Sequence, residues 1–317
     1  MRVLLTGAGG QLGQALRSQL TAPPPSPGSP VAEVIAVGRE QLDLADPEAC
    51  RALVQQVQPD WLINAGAYTA VDRAEQEPAL AHAVNAGAPA AFAEALADLG
   101  RGRLLQLSTD FVFDGAQGHP YAPVPLPAGP PVALGVYGAS KAAAERAALL
   151  APGGVVLRTS WVYGPVGRNF CLTMLRLHRE RVAADAPLTV VADQVGCPTA
   201  TVGPRGLAAA CCRVIVQAAQ GHALPSVLHW SDAGVASWYD FAVAIGEEAV
   251  AAGLIPRAAA VQPITTADYP TPAARPAFAV LDCESTRQAL NLQPLHWREA
   301  LRQVLRQVLR QHGGDGP

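Results

Sequence analysis

The chain has 317 residues, half of them hydrophobic, and a formal net charge of −3 at pH 7. This length allows one large or two modest domains with a sizeable core, and the charge lacks the basic excess typical of proteins that bind nucleic acid or a membrane surface. The six cysteines show no zinc-binding or Cys-x-x-Cys spacing, which favours reduced thiols in the core and predicts no metal site.

The N-terminus combines a short apolar strand, Arg2 to Thr6, with a glycine-rich turn and a helix from Gln14 to Leu20. Glycines in such a turn let the backbone approach a pyrophosphate, whose negative charge the helix N-terminus attracts. The sequence therefore predicts a dinucleotide site formed by Gly7, Gly10, Gln11, Leu12 and Gly13. The apolar run is too short for a secretory signal or a membrane span, so we expect a cytoplasmic protein.

The next segments concern the choice of cofactor. Residues 21–30 contain five prolines and are predicted to form a surface insertion. A second strand, Val31 to Val37, is followed by Gly38 and Arg39, where an NAD-selective site would usually carry a carboxylate. Arg39 suits the 2′-phosphate of NADPH; if it is only a solvated loop arginine, NADH remains open. Asp43 and Leu44 are expected near the adenine.

The apolar runs at 61–66, 103–108 and 155–163 alternate with helical stretches such as 78–98. Strands that are apolar throughout are typical of a parallel sheet buried on both faces. We predict an α/β fold with a doubly wound, Rossmann-type sheet in residues 1–165. Residues 166–317 are predicted to form a smaller C-terminal substrate-binding domain, with some segments returning to the sheet and a last helix at 297–311. A loop with six prolines, 113–134, should shape the site.

The catalytic candidates are Tyr137 and Lys141, four residues apart in a predicted helix and so on one face of it. A lysine cation beside a phenol favours the phenolate. We therefore expect the tyrosine pKa to be lowered from about 10, which suits an acid or base at neutral pH.

Several blocks together resemble the extended short-chain dehydrogenase/reductases and, within them, the dTDP-4-dehydrorhamnose reductase family. Two are shared by the whole superfamily, the glycine-rich turn and Tyr137-Gly138-Ala139-Ser140-Lys141. The other blocks lie at 64–75, 108–115, 158–163, 193–199 and 269–276, so that the likeness extends over nearly the whole chain. Those around 67–72, Trp161 and Asp193-Gln194 are much more specific to this family.

The resemblance implies NADPH-dependent reduction of the C4 ketone of dTDP-4-dehydro-L-rhamnose, in the synthesis of dTDP-rhamnose for cell-surface polysaccharides. In it Thr109 hydrogen-bonds the substrate carbonyl, Tyr137 donates the proton, and Lys141 holds the nicotinamide ribose. Trp161 is expected under the sugar, unless it is a core tryptophan. Further implied contacts are Ala65, Ala67 and Tyr68 to the cofactor, and Asp110, Asn169, Gln194 and Arg275 to the substrate.

Two alternatives remain open at this point. One is a nucleotide-sugar epimerase or dehydratase of the same superfamily, which would share Thr109, Tyr137 and Lys141. The other is a non-catalytic regulatory subunit that binds NADP, as in a relative that partners methionine adenosyltransferase.

The chain also departs from the family pattern. Gly135 stands where asparagine is common, which puts the geometry of the local loop in question. Some members form dimers through a Mg²⁺ ion held by carboxylates, but this chain has Ala200, Thr201 and Val202 at the expected place. We therefore expect no bridging Mg²⁺, and a monomer or weak homodimer whose only small-molecule partner besides the cofactor is a nucleotide sugar.

Overall fold

The computed structural model describes residues 1–21, 31–129 and 132–312, so the insertion predicted at 21–30 lies outside the described residues except for Thr21. The strands are β1 (Arg2–Thr6), β2 (Glu33–Val37), β3 (Trp61–Asn64), β4 (Arg103–Thr109), β5 (Val155–Thr159), β6 (Val162–Tyr163), β7 (Leu188–Val191), β8 (Val195–Gly196), β9 (Thr199–Ala200), β10 (Val227–His229), β11 (Ala236–Ser237) and β12 (Val261–Ile264). The α-helices are α1 (Gln11–Thr21), α2 (Pro47–Val57), α3 (Val71–Ala74), α4 (Pro78–His82), α5 (Ala88–Asp98), α6 (Val136–Ala148), α7 (Phe170–Ala183), α8 (Leu207–Ala219), α9 (Trp238–Ala251), α10 (Glu284–Leu290) and α11 (Trp297–His312).

Within the described residues, the central sheet has six parallel strands in the order β2-β1-β3-β4-β5-β10. The strand order reverses at β1, which pairs with β2 on one side and β3 on the other. In open α/β sheets a ligand binds in the crevice at the carboxyl ends of the strands beside such a reversal. The predicted α/β doubly wound fold is confirmed.

Both faces of the sheet are covered because neighbouring residues of each strand point to opposite sides. Leu5 packs with Leu16 and Ile215, from α1 and α8, in one apolar cluster. Leu4 packs with Val54 and Phe92, from α2 and α5, in another. These two cores fix the carboxyl ends of the strands, and the loops that follow them, in one place.

The chain after residue 160 forms a third apolar cluster and also contributes to the central sheet. Helices α7, α9 and α11 pack around Phe241, Leu301 and Leu305. The short pairs β7–β12, β8–β11 and β6–β9 lie in this part. The edge strand β10 pairs with β5, and α8 packs against α1.

Three predicted boundaries change. The apolar run 155–163 is two strands instead of one, because Trp161 adopts φ 46° after β5 ends at Thr159. The second strand begins at Glu33, and the first helix already begins at Gln11. The helical stretch 78–98 is continuous but contains a π-helical turn, Ala83–Gly87, between α4 and α5. Within the described ranges, no helix has both the length and the apolar composition needed to cross a bilayer.

Candidate active site

A cleft of about 1350 Å³ opens at the carboxyl ends of β1 to β5. Its wall on the far side comes from the second part of the chain, including Phe170 and Trp238. Most of the residues predicted from the sequence line it: Gly7, Gly10, Gln11, Leu12, Arg39, Asp43, Leu44, Ala65, Ala67, Tyr68, Thr109, Asp110, Tyr137, Lys141, Trp161 and Arg275. The fold thus brings together residues that are up to 268 positions apart.

The glycine-rich turn fits a dinucleotide by its backbone. Gly7 has φ 70°, and a Cβ there would lie 2.5 Å from the backbone nitrogen of Gly66. A Cβ on Gly13 would lie 2.7 Å from Ala8 Cα, so this glycine lets α1 pack against the turn and does not itself line the cleft. Since α1 begins directly after the turn, the N–H groups of its first turn would be available to a bound pyrophosphate.

The adenosine end of the cleft lies beyond β2. Arg39 is exposed there, and no ion pair to it is found among the described residues. Gly38 donates its N–H to Gln41 Oε1 (2.8 Å), which shapes the turn that carries the arginine. Asp43 accepts from Ala45 N (2.9 Å), and Leu44 packs against Gly66. A guanidinium placed in this way is free to meet an added phosphate on the ribose.

The reacting end is formed by β4 and α6. Thr109, the last residue of β4, donates its hydroxyl to Asp110 Oδ1 (2.8 Å), and Tyr137 hydrogen-bonds the same hydroxyl. Lys141 lies one turn after Tyr137 on α6 and donates to the carbonyl of Leu107 (2.6 Å). The predicted shared face of Tyr137 and Lys141 is therefore present, with a second hydroxyl beside the phenol.

The pKa values at this end do not follow the expectation. Burial raises the pKa of Tyr137 to about 12, the hydrogen bond with Thr109 opposes this rise, and the charge of Asp110 adds to it. The prediction that Lys141 lowers the pKa of Tyr137 is therefore wrong. Burial also lowers the pKa of Lys141 to about 8, which weakens it as a cation, although Glu145 opposes this shift. Tyr137 is thus held in its protonated form, which suits a proton donor.

Asn85, in the π-helical turn, connects the loop after β3 to α6 and was not predicted from the sequence. Its Oδ1 accepts from Tyr68 N (2.8 Å) and its Nδ2 donates to Ser140 Oγ (3.0 Å). Ser140 in turn donates to the carbonyl of Tyr137 (2.7 Å). A lone asparagine in an alanine-rich helix was the available signal, because a polar group buried there needs partners.

A buried ion pair behind Lys141 was also missed. Glu145 Oε2 accepts from Arg158 Nη2 at 2.7 Å, and both side chains are almost fully buried. Arg158 Nη1 also donates to the carbonyl of Val124 (3.0 Å), and Ser108 donates to Glu145. This network fixes α6 against β4 and β5 and holds the proline-rich loop at 113–134.

The residues expected to bind the sugar divide into two groups. Trp161 and Arg275 line the cleft, although Arg275 forms an ion pair with Asp72 (2.8 Å). Asn169 does not line it: its Oδ1 accepts from Leu172 N (3.0 Å) and caps α7, while its Nδ2 contacts Gln11. Gln194 is buried away from the cleft and bonds to Trp238 and Thr266. The hydrogen bonds of Asn169 and Gln194 in the described residues go to protein groups, and a substrate contact for either one stays a prediction.

A Rossmann-type cleft that joins a dinucleotide turn to a hydroxyl, a tyrosine and a lysine defines a short-chain dehydrogenase/reductase of the extended type. The profile of the family described as RmlD substrate binding domain matches residues 1–310, and the chain belongs to this family.

Characterised relatives and solved structures agree with this assignment. The dTDP-4-dehydrorhamnose reductase of Aggregatibacter actinomycetemcomitans is 39% identical over 307 residues, which cover 96% of this chain and 98% of that protein. The crystal structure of a dTDP-4-dehydrorhamnose reductase from Clostridium acetobutylicum is similar with a TM-score of 0.80 and 32% identity, and covers 98% of this chain and 100% of that one. The structure of the enzyme of the same name from Bacillus anthracis, in complex with NADP, is similar with a TM-score of 0.79 and 32% identity. The match covers 96% of this chain and 98% of that one.

Proposed function

We propose that this protein reduces the C4 ketone of dTDP-4-dehydro-L-rhamnose to dTDP-L-rhamnose with NADPH. The observation that carries the proposal is the arrangement of Thr109, Tyr137 and Lys141 in a cleft whose other end presents the glycine-rich turn and Arg39. The relatives' names point to the same reaction.

NADPH, when bound, supplies the hydride, and the protein's own groups supply the rest. Negative charge develops on the C4 oxygen as the carbonyl carbon is reduced, and preorganised donors stabilise such charge. In the proposed reaction Tyr137 donates its phenolic proton to that oxygen, and the hydroxyl of Thr109 hydrogen-bonds it. Lys141 lies where its ammonium can hold the cofactor's ribose and stabilise the phenolate left behind.

The wall of the cleft supports a sugar substrate. The indole of Trp161 offers an apolar face for a deoxyhexose, and Arg275 offers a charge for the diphosphate. We assign the reaction to the cytoplasm. The net charge of −3 argues against nucleic acid as a partner.

The test is a coupled assay. dTDP-glucose is converted by the upstream dehydratase and epimerase, and oxidation of added NADPH is followed after this protein is supplied. We expect NADPH consumption only when the epimerase is present, and dTDP-L-rhamnose as the product. Equal turnover of UDP-linked keto sugars, or no turnover of the thymidine compound, would overturn the proposal.

The same assay separates the two alternatives. An epimerase or dehydratase recycles its nicotinamide and would convert a nucleotide sugar without net consumption of NADPH. A regulatory subunit would bind NADPH and leave the keto sugar unchanged. A Tyr137→Phe protein is the matched control, because it keeps the aromatic ring and lacks the proton donor.

A further inference from the structure

Trp161 is held against a second tryptophan in the wall of the cleft. The rings of Trp161 and Trp238 lie parallel, with centroids 3.5 Å apart and an interplanar angle of 5°. On the Gly196 side, a Cβ would lie 2.6 Å from the Trp161 ring. The ring is therefore confined by both neighbours, and the stack covers one of its two faces.

The backbone of Trp161 is also unusual. Its φ of 46° lies in the left-handed region, which bulky side chains rarely adopt. Such a conformation persists only where the surrounding structure determines it, and it is common at functional sites. The stack with Trp238 and the space left by Gly196 are two contacts that determine it here.

A chain of hydrogen bonds fixes Trp238 in turn. Its Nε1 donates to Gln194 Oε1 (3.2 Å), and Gln194 Nε2 donates to Thr266 Oγ1 (3.1 Å). The Thr266 hydroxyl donates to Asp193 Oδ1 (2.7 Å). Because an ionised carboxylate only accepts, Thr266 can offer Gln194 only a lone pair, and the glutamine amide must then turn its oxygen toward the indole N–H.

We propose that Trp238 and Gln194 are positioning residues that hold the Trp161 indole in the orientation that receives the sugar, so that the 193–199 block acts on specificity through Trp161. This inference rests on the proposed function for the identity of the sugar. Gln194 is buried and Asp193 is exposed, so the chain of hydrogen bonds links the cleft wall to the surface. Of its members, Trp238 lines the cleft, where it lies behind the Trp161 ring.

The experiment compares Trp238→Leu, Gln194→Leu and Gln194→Glu with the wild type. Loss of the stack or of its orientation should raise the KM for the keto sugar roughly 3- to 10-fold, the scale of an aromatic pair. The Kd for NADPH should stay unchanged, and kcat should change less than KM. Gln194→Glu keeps the acceptor for Trp238 and loses the donor to Thr266, so we expect an intermediate KM.

Near-ultraviolet circular dichroism gives a readout that needs no substrate. Two stacked indoles couple, and the coupled signal should disappear in Trp238→Leu and shrink in Gln194→Leu. Trp61→Phe is the matched control, because Trp61 begins β3 at the opposite end of the sheet and packs against Arg103; it should keep both the signal and the KM.

The outcomes are distinct. An unchanged KM in a folded Trp238→Leu or Gln194→Leu protein, or variants that lose only thermal stability, would overturn this inference while leaving the reaction intact. A wild type that does not reduce the keto sugar would instead overturn the proposed function. If Trp238→Leu does not fold, the two Gln194 variants decide.

Discussion

Glu75 caps the helix that carries Tyr137, although it lies outside that helix: its Oε1 accepts a hydrogen bond of 2.8 Å from the backbone nitrogen of Val136. Gly135, the N-cap residue of α6, has no side chain to perform this task, and a Cβ there would collide with the same carboxylate oxygen. The glycine that departs from the family pattern is therefore matched to Glu75. A negative charge at this end of a helix is also favourable, since the helix dipole is positive there.

The first prediction concerns this cap. Glu75→Ala should lower the free energy of unfolding by about 1 kcal/mol, the usual effect of losing an N-cap, and should lower kcat because Tyr137 lies in the first turn. Glu75→Gln keeps a hydrogen-bond acceptor and should retain most of the stability and most of the kcat. Thermal unfolding and steady-state kinetics measure the two effects. A Gly135→Ala protein as stable and active as the wild type would contradict the matched pair.

Tyr137→Phe should lose on the order of 10² to 10⁴ in turnover and still bind the cofactor, since a general acid contributes on this scale. Lys141→Ala should weaken NADPH binding as well, because the ammonium holds the ribose in the proposed reaction. Single-turnover kinetics and a fluorescence titration with NADPH separate the two losses. Near-normal turnover of Tyr137→Phe would show that another group donates the proton.

The parts of the site that could be predicted are those where local pattern and topology agree. The turn at Gly7, the strands and the helix of Tyr137 and Lys141 each have a short signal, and a parallel sheet brings the carboxyl ends of its strands to one edge. That edge is where most of the predicted residues meet. The RmlD family assignment is also confirmed.

Contacts between distant segments could not be predicted from the sequence. No motif reveals the partners of Asn85, Glu145 and Trp238, which lie in other elements of the fold. The pKa of Tyr137 was misjudged for the same reason: burial is the largest cause of its rise, and burial is a property of the folded chain. The roles expected for Asn169 and Gln194 came from resemblance alone, and the structure gives their hydrogen bonds to protein groups.

Asp110 makes stability depend on pH. Burial raises the pKa of its carboxyl from 3.8 to about 7, and one oxygen has no hydrogen-bond partner among the described residues. As pH rises from about 4 to about 7, the unfolded chain loses this proton while the folded chain keeps it, so stability decreases across that window and the loss is complete above it. Asp110→Asn does not titrate. Its melting temperature should rise relative to that of the wild type between pH 5 and pH 8, and a constant difference would show that Asp110 is already ionised.

Arg39 should select NADPH over NADH. Its exposed guanidinium lies at the adenosine end of the cleft, and a 2′-phosphate is the one feature that distinguishes the two cofactors there. Arg39→Ala should lower kcat/KM for NADPH and leave the value for NADH nearly unchanged, while Arg39→Lys should keep part of the preference. The two specificity constants measured in each variant give the answer. An unchanged ratio in Arg39→Ala would show that this arginine does not contact the phosphate.

The last prediction is that Mg²⁺ does not bridge two subunits. Carboxylates from two subunits repel each other unless a divalent ion neutralises them, and Mg²⁺ requires several oxygen ligands in octahedral geometry. At the place where the resemblance calls for a ligand, Ala200 and Thr201 are buried and Val202 is apolar, so this segment offers no carboxylate to a neighbour. In a symmetric dimer each subunit contributes the same residues, so the missing carboxylate is absent from both sides of the interface.

Sedimentation with added Mg²⁺ and then with excess EDTA, alongside the reductase assay, should show the same mass and the same activity under the two conditions. A dimer that dissociates on chelation and forms again with Mg²⁺ would refute the prediction, whereas a dimer indifferent to EDTA would place the interface on other residues.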